Sequence, residues 1–69
     1  MIEVFRTNVS EQAEARNLVF RLLGLYPSGG ITFDLEDCDN VLRVESATVC
    51  PNAVISLVEA CGFSCEILS

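Results

Sequence analysis

The stretch Ile31-Thr32-Phe33-Asp34-Leu35-Glu36-Asp37-Cys38-Asp39-Asn40-Val41-Leu42-Arg43-Val44-Glu45 decides the fold. Ile31, Phe33 and Leu35 alternate with Thr32, Asp34 and Glu36. Leu42 and Val44 alternate with Val41, Arg43 and Glu45. A period of two is that of a strand with one face in a core and the other in water. Between the runs, Asp37-Cys38-Asp39-Asn40 is rich in side chains that bond their own backbone and favour a reversal. The centre of the chain is therefore an antiparallel hairpin.

Outward from the hairpin the period changes to that of a helix. Upstream, Ala15, Leu18, Val19, Leu22 and Leu25 recur at spacings of three and four. The helix is predicted to begin at Asn8 or Ser10, because Asn8 followed by Glu11 reads as a capping box. Tyr26-Pro27-Ser28-Gly29-Gly30 ends it. Before it, residues 2–8 read as a strand, with Ile2 and Val4 alternating with Glu3 and Phe5. Downstream, Pro51 opens a second helix that runs to about Cys61, with core face Val54, Leu57, Val58 and Cys61 and Gly62 at its C-terminal cap. Phe63, Cys65 and Ile67 then alternate with Ser64, Glu66 and Leu68 in a closing strand.

The resulting order is β-α-β-β-α-β. Helices must cover an apolar sheet face, and strand-helix-strand crossovers are right-handed. The expected solution is a single α+β domain over residues 1–69: a ferredoxin-like βαββαβ two-layer sandwich with antiparallel sheet order 4-1-3-2 and both helices on one face. That topology gathers three connections at one end: the loop after the first strand, the 37–40 hairpin and the Gly62-Phe63 turn.

Composition narrows the function. Half of the chain is hydrophobic, which excludes intrinsic disorder, and no apolar run approaches the ~20 residues of a membrane span. The opening Met1-Ile2-Glu3-Val4-Phe5-Arg6 carries a charge every few residues and lacks the apolar core of a secretory signal, so a cytoplasmic setting is expected. Ten carboxylates face four arginines and no lysine, a net charge of −6. Nucleic acid and anionic membranes, which draw on clustered cations, are excluded as expected partners. A basic protein partner remains compatible.

Two stretches carry a family resemblance. Phe33-Asp34-Leu35-Glu36, a short turn and Val41-Leu42-Arg43-Val44 resemble the central hairpin of heavy-metal-associated domains. Val54-Ile55-Ser56-Leu57-Val58-Glu59-Ala60-Cys61-Gly62-Phe63-Ser64-Cys65-Glu66-Ile67-Leu68 resembles that family's second helix and last strand, with their Gly-aromatic turn. The family includes copper chaperones, mercuric-ion-binding proteins and the small domains of metal-transporting ATPases. The resemblance implies the fold and, for the family, soft-metal binding through Met-x-Cys-x-x-Cys between the first strand and the first helix. Here that segment reads Thr7-Asn8-Val9-Ser10-Glu11-Gln12-Ala13-Glu14, with no Cys, Met or His.

The remaining chemistry is sparse. Cys38, Cys50, Cys61 and Cys65 include no C-x-x-C pair, and the chain has no histidine, so any tetrahedral zinc site would have only thiolates. Cys61 and Cys65 fall on core-facing positions, where free Cys behaves as a small hydrophobe. Cys38 sits exposed between two aspartates, and Cys50 precedes the second helix without a histidine neighbour. The acidic run Asp34, Glu36, Asp37, Asp39 lacks the spacing of a calcium loop. No nucleophile motif or phosphate loop is present.

The expected function is a non-enzymatic binding module without a cofactor. Its expected binding surface is Thr7, Asn8, Val9 and Ser10 together with Phe63, facing a protein or small ligand, in a monomer or weak homodimer. One alternative is a soft-metal carrier using displaced cysteines, with Cys38 and Cys61 as ligands. Another is a small-ligand regulatory domain that dimerises through its open sheet face.

Overall fold

The computed structural model describes residues 1–36 and 38–68. Asp37, expected in the hairpin turn, and Ser69 lie outside the described residues. The elements are β1 (Ile2–Thr7), α1 (Gln12–Leu25), β2 (Gly30–Asp34), β3 (Val41–Glu45), α2 (Pro51–Ala60) and β4 (Cys65–Ile67). They form one antiparallel sheet in the order β2-β3-β1-β4. Counted from the β4 edge this reads 4-1-3-2. β2 pairs with β3, and β1 lies between β3 and β4.

Register explains the two layers. Residues paired across neighbouring strands point to the same face. Phe33 pairs with Leu42, and Leu42 with Phe5; Ile31 pairs with Val44. Phe5, Leu42 and Val44 are fully buried. Leu22 of α1 and Val54 and Val58 of α2 pack into the same cluster, so both helices cover this one face. The opposite face carries Val4, Arg6, Thr32, Val41 and Arg43 and is half-buried or exposed.

A second cluster of Val9, Ala15 and Leu18 lies beside the first. Phe33, Leu57 and Phe63 pack against both clusters and join them into one core. No helix among the described residues is long and apolar enough to cross a membrane.

The helix ends differ instructively. α2 has Pro51 in its first turn. It closes with the Gly62 amide donating to the Glu59 carbonyl at 2.9 Å and the Phe63 amide to the Val58 carbonyl at 3.3 Å. With Gly62 at φ +94° this is a Schellman motif, in which the left-handed residue turns the chain back. α1 starts later than the capping-box reading predicts. Its N-cap is Glu11, which makes no side-chain capping bond. Val9 is drawn into the core, so residues 8–10 serve as a plug instead of a first helical turn. Leu25, expected on the core face of α1, is 45% exposed, because Leu22 is the last helix residue to reach the cluster. Ile67, expected inward, is 47% exposed on the edge strand β4.

Candidate functional site

The site grows from the end of β1. Thr7 is buried, and its hydroxyl has two tasks. It donates to the Asn40 carbonyl at 2.7 Å and accepts the Val9 amide at 3.2 Å. The Thr7 amide donates to the Asp39 carbonyl at 3.3 Å. Asn40 adopts φ 46°, a left-handed conformation that asparagine tolerates better than most residues. It thereby turns the end of the β2–β3 connection toward β1.

Asn8 makes the next tie. Its side-chain oxygen accepts the Ser64 amide at 2.8 Å, bridging the loop after β1 to the turn before β4. Three connections distant in sequence are thus fastened at one end of the sheet, through Thr7–Asn40 and Asn8–Ser64. The same end holds Arg6, which reaches Asp39 at 3.2 Å and Glu66 at 2.9 Å. All three side chains are more than a third exposed, so each pair contributes about 0–1 kcal/mol. A depression of about 520 Å³ opens here, with Asn8, Glu59, Ser64 and Glu66 on its rim and Cys65 at its base.

The expected binding residues divide by exposure. Asn8 and Ser10 are exposed, whereas Thr7 and Val9 are buried and hold the loop in place. Phe63 is half-buried, with its ring against both core clusters. Arg6, Asn40 and Ser64 belong to the same end and carry no motif of their own. Their sequence signal is indirect: Arg6 and Glu66 become neighbours only once β1 and β4 are paired.

The four thiols are free. Cys38 and Cys50 are exposed, Cys61 is half-buried and Cys65 buried. Cys61 lines a groove between the helices with Asn17, Arg21, Leu57 and Ala60. Burial pushes the Cys65 thiol from 9.0 up to about 11, with the Glu59 and Glu66 carboxylates adding to the rise. No three His, Cys, Asp or Glu side chains gather into a metal-sized cluster among the described residues.

Compared with family models, curated proteins and solved structures, the chain matches none.

Proposed function

We propose that this chain is a non-enzymatic, cytoplasmic binding module of ferredoxin-like architecture. In this reading it is similar to heavy-metal-associated domains but works without their thiolate site. The observation that supports this most is the construction of the loop after β1. In the segment between β1 and α1, where that family carries its cysteine motif, this chain has Thr7 and Asn8 bonded to Asn40 and Ser64, with Val9 as an apolar plug. These residues give a fixed surface that hydrogen-bonds, and they do not give a soft-metal chelate.

The rim chemistry indicates the partner. Glu59 and Glu66 line the depression with the exposed Asn8 and Ser64, and Arg6 pairs with both Asp39 and Glu66. A preorganised acidic surface favours a basic protein loop.

Competition of the reduced protein against a chromogenic chelator for Cu(I) and Zn(II) tests the metal-free reading, and native mass spectrometry reports metal, ligand and oligomer together. The expected result is no stoichiometric metal capture. Capture that disappears in Cys38→Ser or Cys61→Ser would establish the displaced-cysteine carrier instead. Titration of 15N-labelled protein with an arginine-rich peptide tests the acidic end. The Asn8, Ser10 and Ser64 amides should shift, and the Glu66→Gln variant should respond more weakly. No shift at these amides refutes the loop-end surface.

A further inference from the structure

α1 has two apolar stripes. Ala15, Leu18 and Leu22 are buried against the rest of the core. Roughly 150° around the helix, at 3.6 residues per turn, the apolar Ala13, Phe20 and Leu23 share a face with Arg16. Phe20 is 77% exposed. A shallow groove of about 580 Å³ runs along this outer side, and its described lining residues all belong to α1. Single exposed apolar residues are ordinary, but a contiguous stripe on the solvent side of a helix marks an interaction surface.

Charge indicates what covers the stripe. The chain carries −6 overall, yet among the described residues that line this groove are Arg16 and no carboxylate. The adjoining groove between α1 and α2 shares Asn17 with it and contains Arg21, again with no carboxylate among its described lining residues. Glu14, the one carboxylate of α1, lines neither groove. The described ion pairs all involve Arg6, so Arg16 and Arg21 are not neutralised within them.

We propose that the outer face of the helical layer docks an acidic amphipathic helix of a partner protein. Phe20 and Leu23 are the apolar anchors, and Arg16 and Arg21 take the partner's carboxylates by forked, two-point contacts. The reading is independent of the loop-end surface, because neither groove shares a described residue with the depression there. A second copy of this chain would bring the same two arginines to the same face. An anionic bilayer extends beyond this face and would meet the acidic remainder of the chain, whereas a single helix meets Arg16 and Arg21 locally. The 14 residues of α1 span about 21 Å, so the partner helix needs about four turns.

The probe is a fluorescein-labelled amphipathic peptide of about 16 residues, with Leu along one face and Glu flanking it. A matched peptide carries Lys in place of every Glu. Anisotropy titrations of the intact chain should show the Glu peptide binding at least about tenfold tighter than the Lys peptide. Phe20→Ala should weaken the Glu peptide by about tenfold while the melting temperature holds, because Phe20 packs on nothing in the core. The double variant Arg16→Glu with Arg21→Glu should reverse the preference between the two peptides. Equal binding of the two peptides, no binding at millimolar concentration, or an unaffected Phe20→Ala variant overturns the proposal. So does a dimer in solution that Phe20→Ala abolishes, which assigns the stripe to a second copy. Sedimentation with phosphatidylglycerol vesicles that depends on Phe20 overturns it in favour of lipid.

Discussion

Thr7 shows how much one side chain can hold at this end of the sheet. Its hydroxyl serves one acceptor, Asn40, and one donor, the Val9 amide, while the residue itself is buried. Thr7→Val keeps the shape and removes both bonds, leaving the buried Val9 amide and the part-buried Asn40 carbonyl without this partner, at a cost of about 1–3 kcal/mol. Urea denaturation should show the midpoint falling with an unchanged slope, and Thr7→Ser should retain most of the stability. If Thr7→Val is as stable as the parent, the hydroxyl is not what fastens the loop.

Cys65 gives a second prediction at this scale. Its thiol pKa rises from 9.0 to about 11 on folding. Between those values the unfolded chain releases the thiol proton while the folded chain keeps it. Folding is therefore favoured fully below about pH 9, and that contribution is lost as the pH climbs to about 11. The stability advantage of the parent over Cys65→Ala should shrink across this window and stay flat from pH 6 to pH 8. At neutral pH the same shift leaves about one thiolate in ten thousand, and native alkylation should modify Cys38 and Cys50 first, Cys61 next and Cys65 last. Rapid reaction at Cys65 would show that the β4 edge opens.

The elements separate into those a sequence announces and those it disguises. The hairpin strands and α2 were legible because their periods of two and 3.6 run uninterrupted and Gly62 punctuates the end. Gly62 sits at φ +94°, and a Cβ there would meet nothing within 4 Å. The cost of Gly62→Ala is therefore conformational and not steric, about 1–2 kcal/mol. Gly62→Asn should cost less, since asparagine visits the left-handed region more readily. Thermal melts of the two variants decide this, and equal losses would mean the cap contributes through something other than backbone conformation. The start of α1 was not legible. Asn8 and Glu11 stand at capping-box spacing, but the Asn8 side-chain oxygen accepts the backbone amide of Ser64, 56 positions away in sequence. Local spacing cannot reveal a competitor supplied by tertiary structure. Exposure at Leu25 and Ile67 was hidden for a related reason: periodicity gives the direction a side chain points and says nothing of whether another element reaches it.

At the scale of the whole molecule the same limit applies to the site. The sequence places three connections at one end because strand order dictates it, and Thr7, Asn8 and Ser64 do meet there. Which members face solvent depended on Val9 entering the core, and Arg6 became part of the end only through the β1–β4 register.

Charge yields the last prediction. Ten carboxylates and four arginines share a body of 27 × 24 × 19 Å. At 10 mM ionic strength the Debye length is about 30 Å, so every charge acts on every other, and at 1 M it is about 3 Å, so only touching groups interact. Salt therefore removes two opposed terms. One is the attraction in the Arg6–Asp39 and Arg6–Glu66 pairs, which are exposed and contribute about 0–1 kcal/mol each. The other is the self-repulsion of a body with net charge −6, which the expanded unfolded chain relieves. The pairs are few and exposed while the repulsion sums over the whole surface, so repulsion wins. The melting temperature should rise as sodium chloride is added from 10 mM to 0.5 M. Glu36→Lys, at an exposed position, brings the net charge two units closer to zero and should flatten the rise. A melting temperature that falls with salt in the parent would mean that the Arg6 pairs dominate. A rise unchanged in Glu36→Lys would mean that salt acts through hydrophobic packing and not through charge.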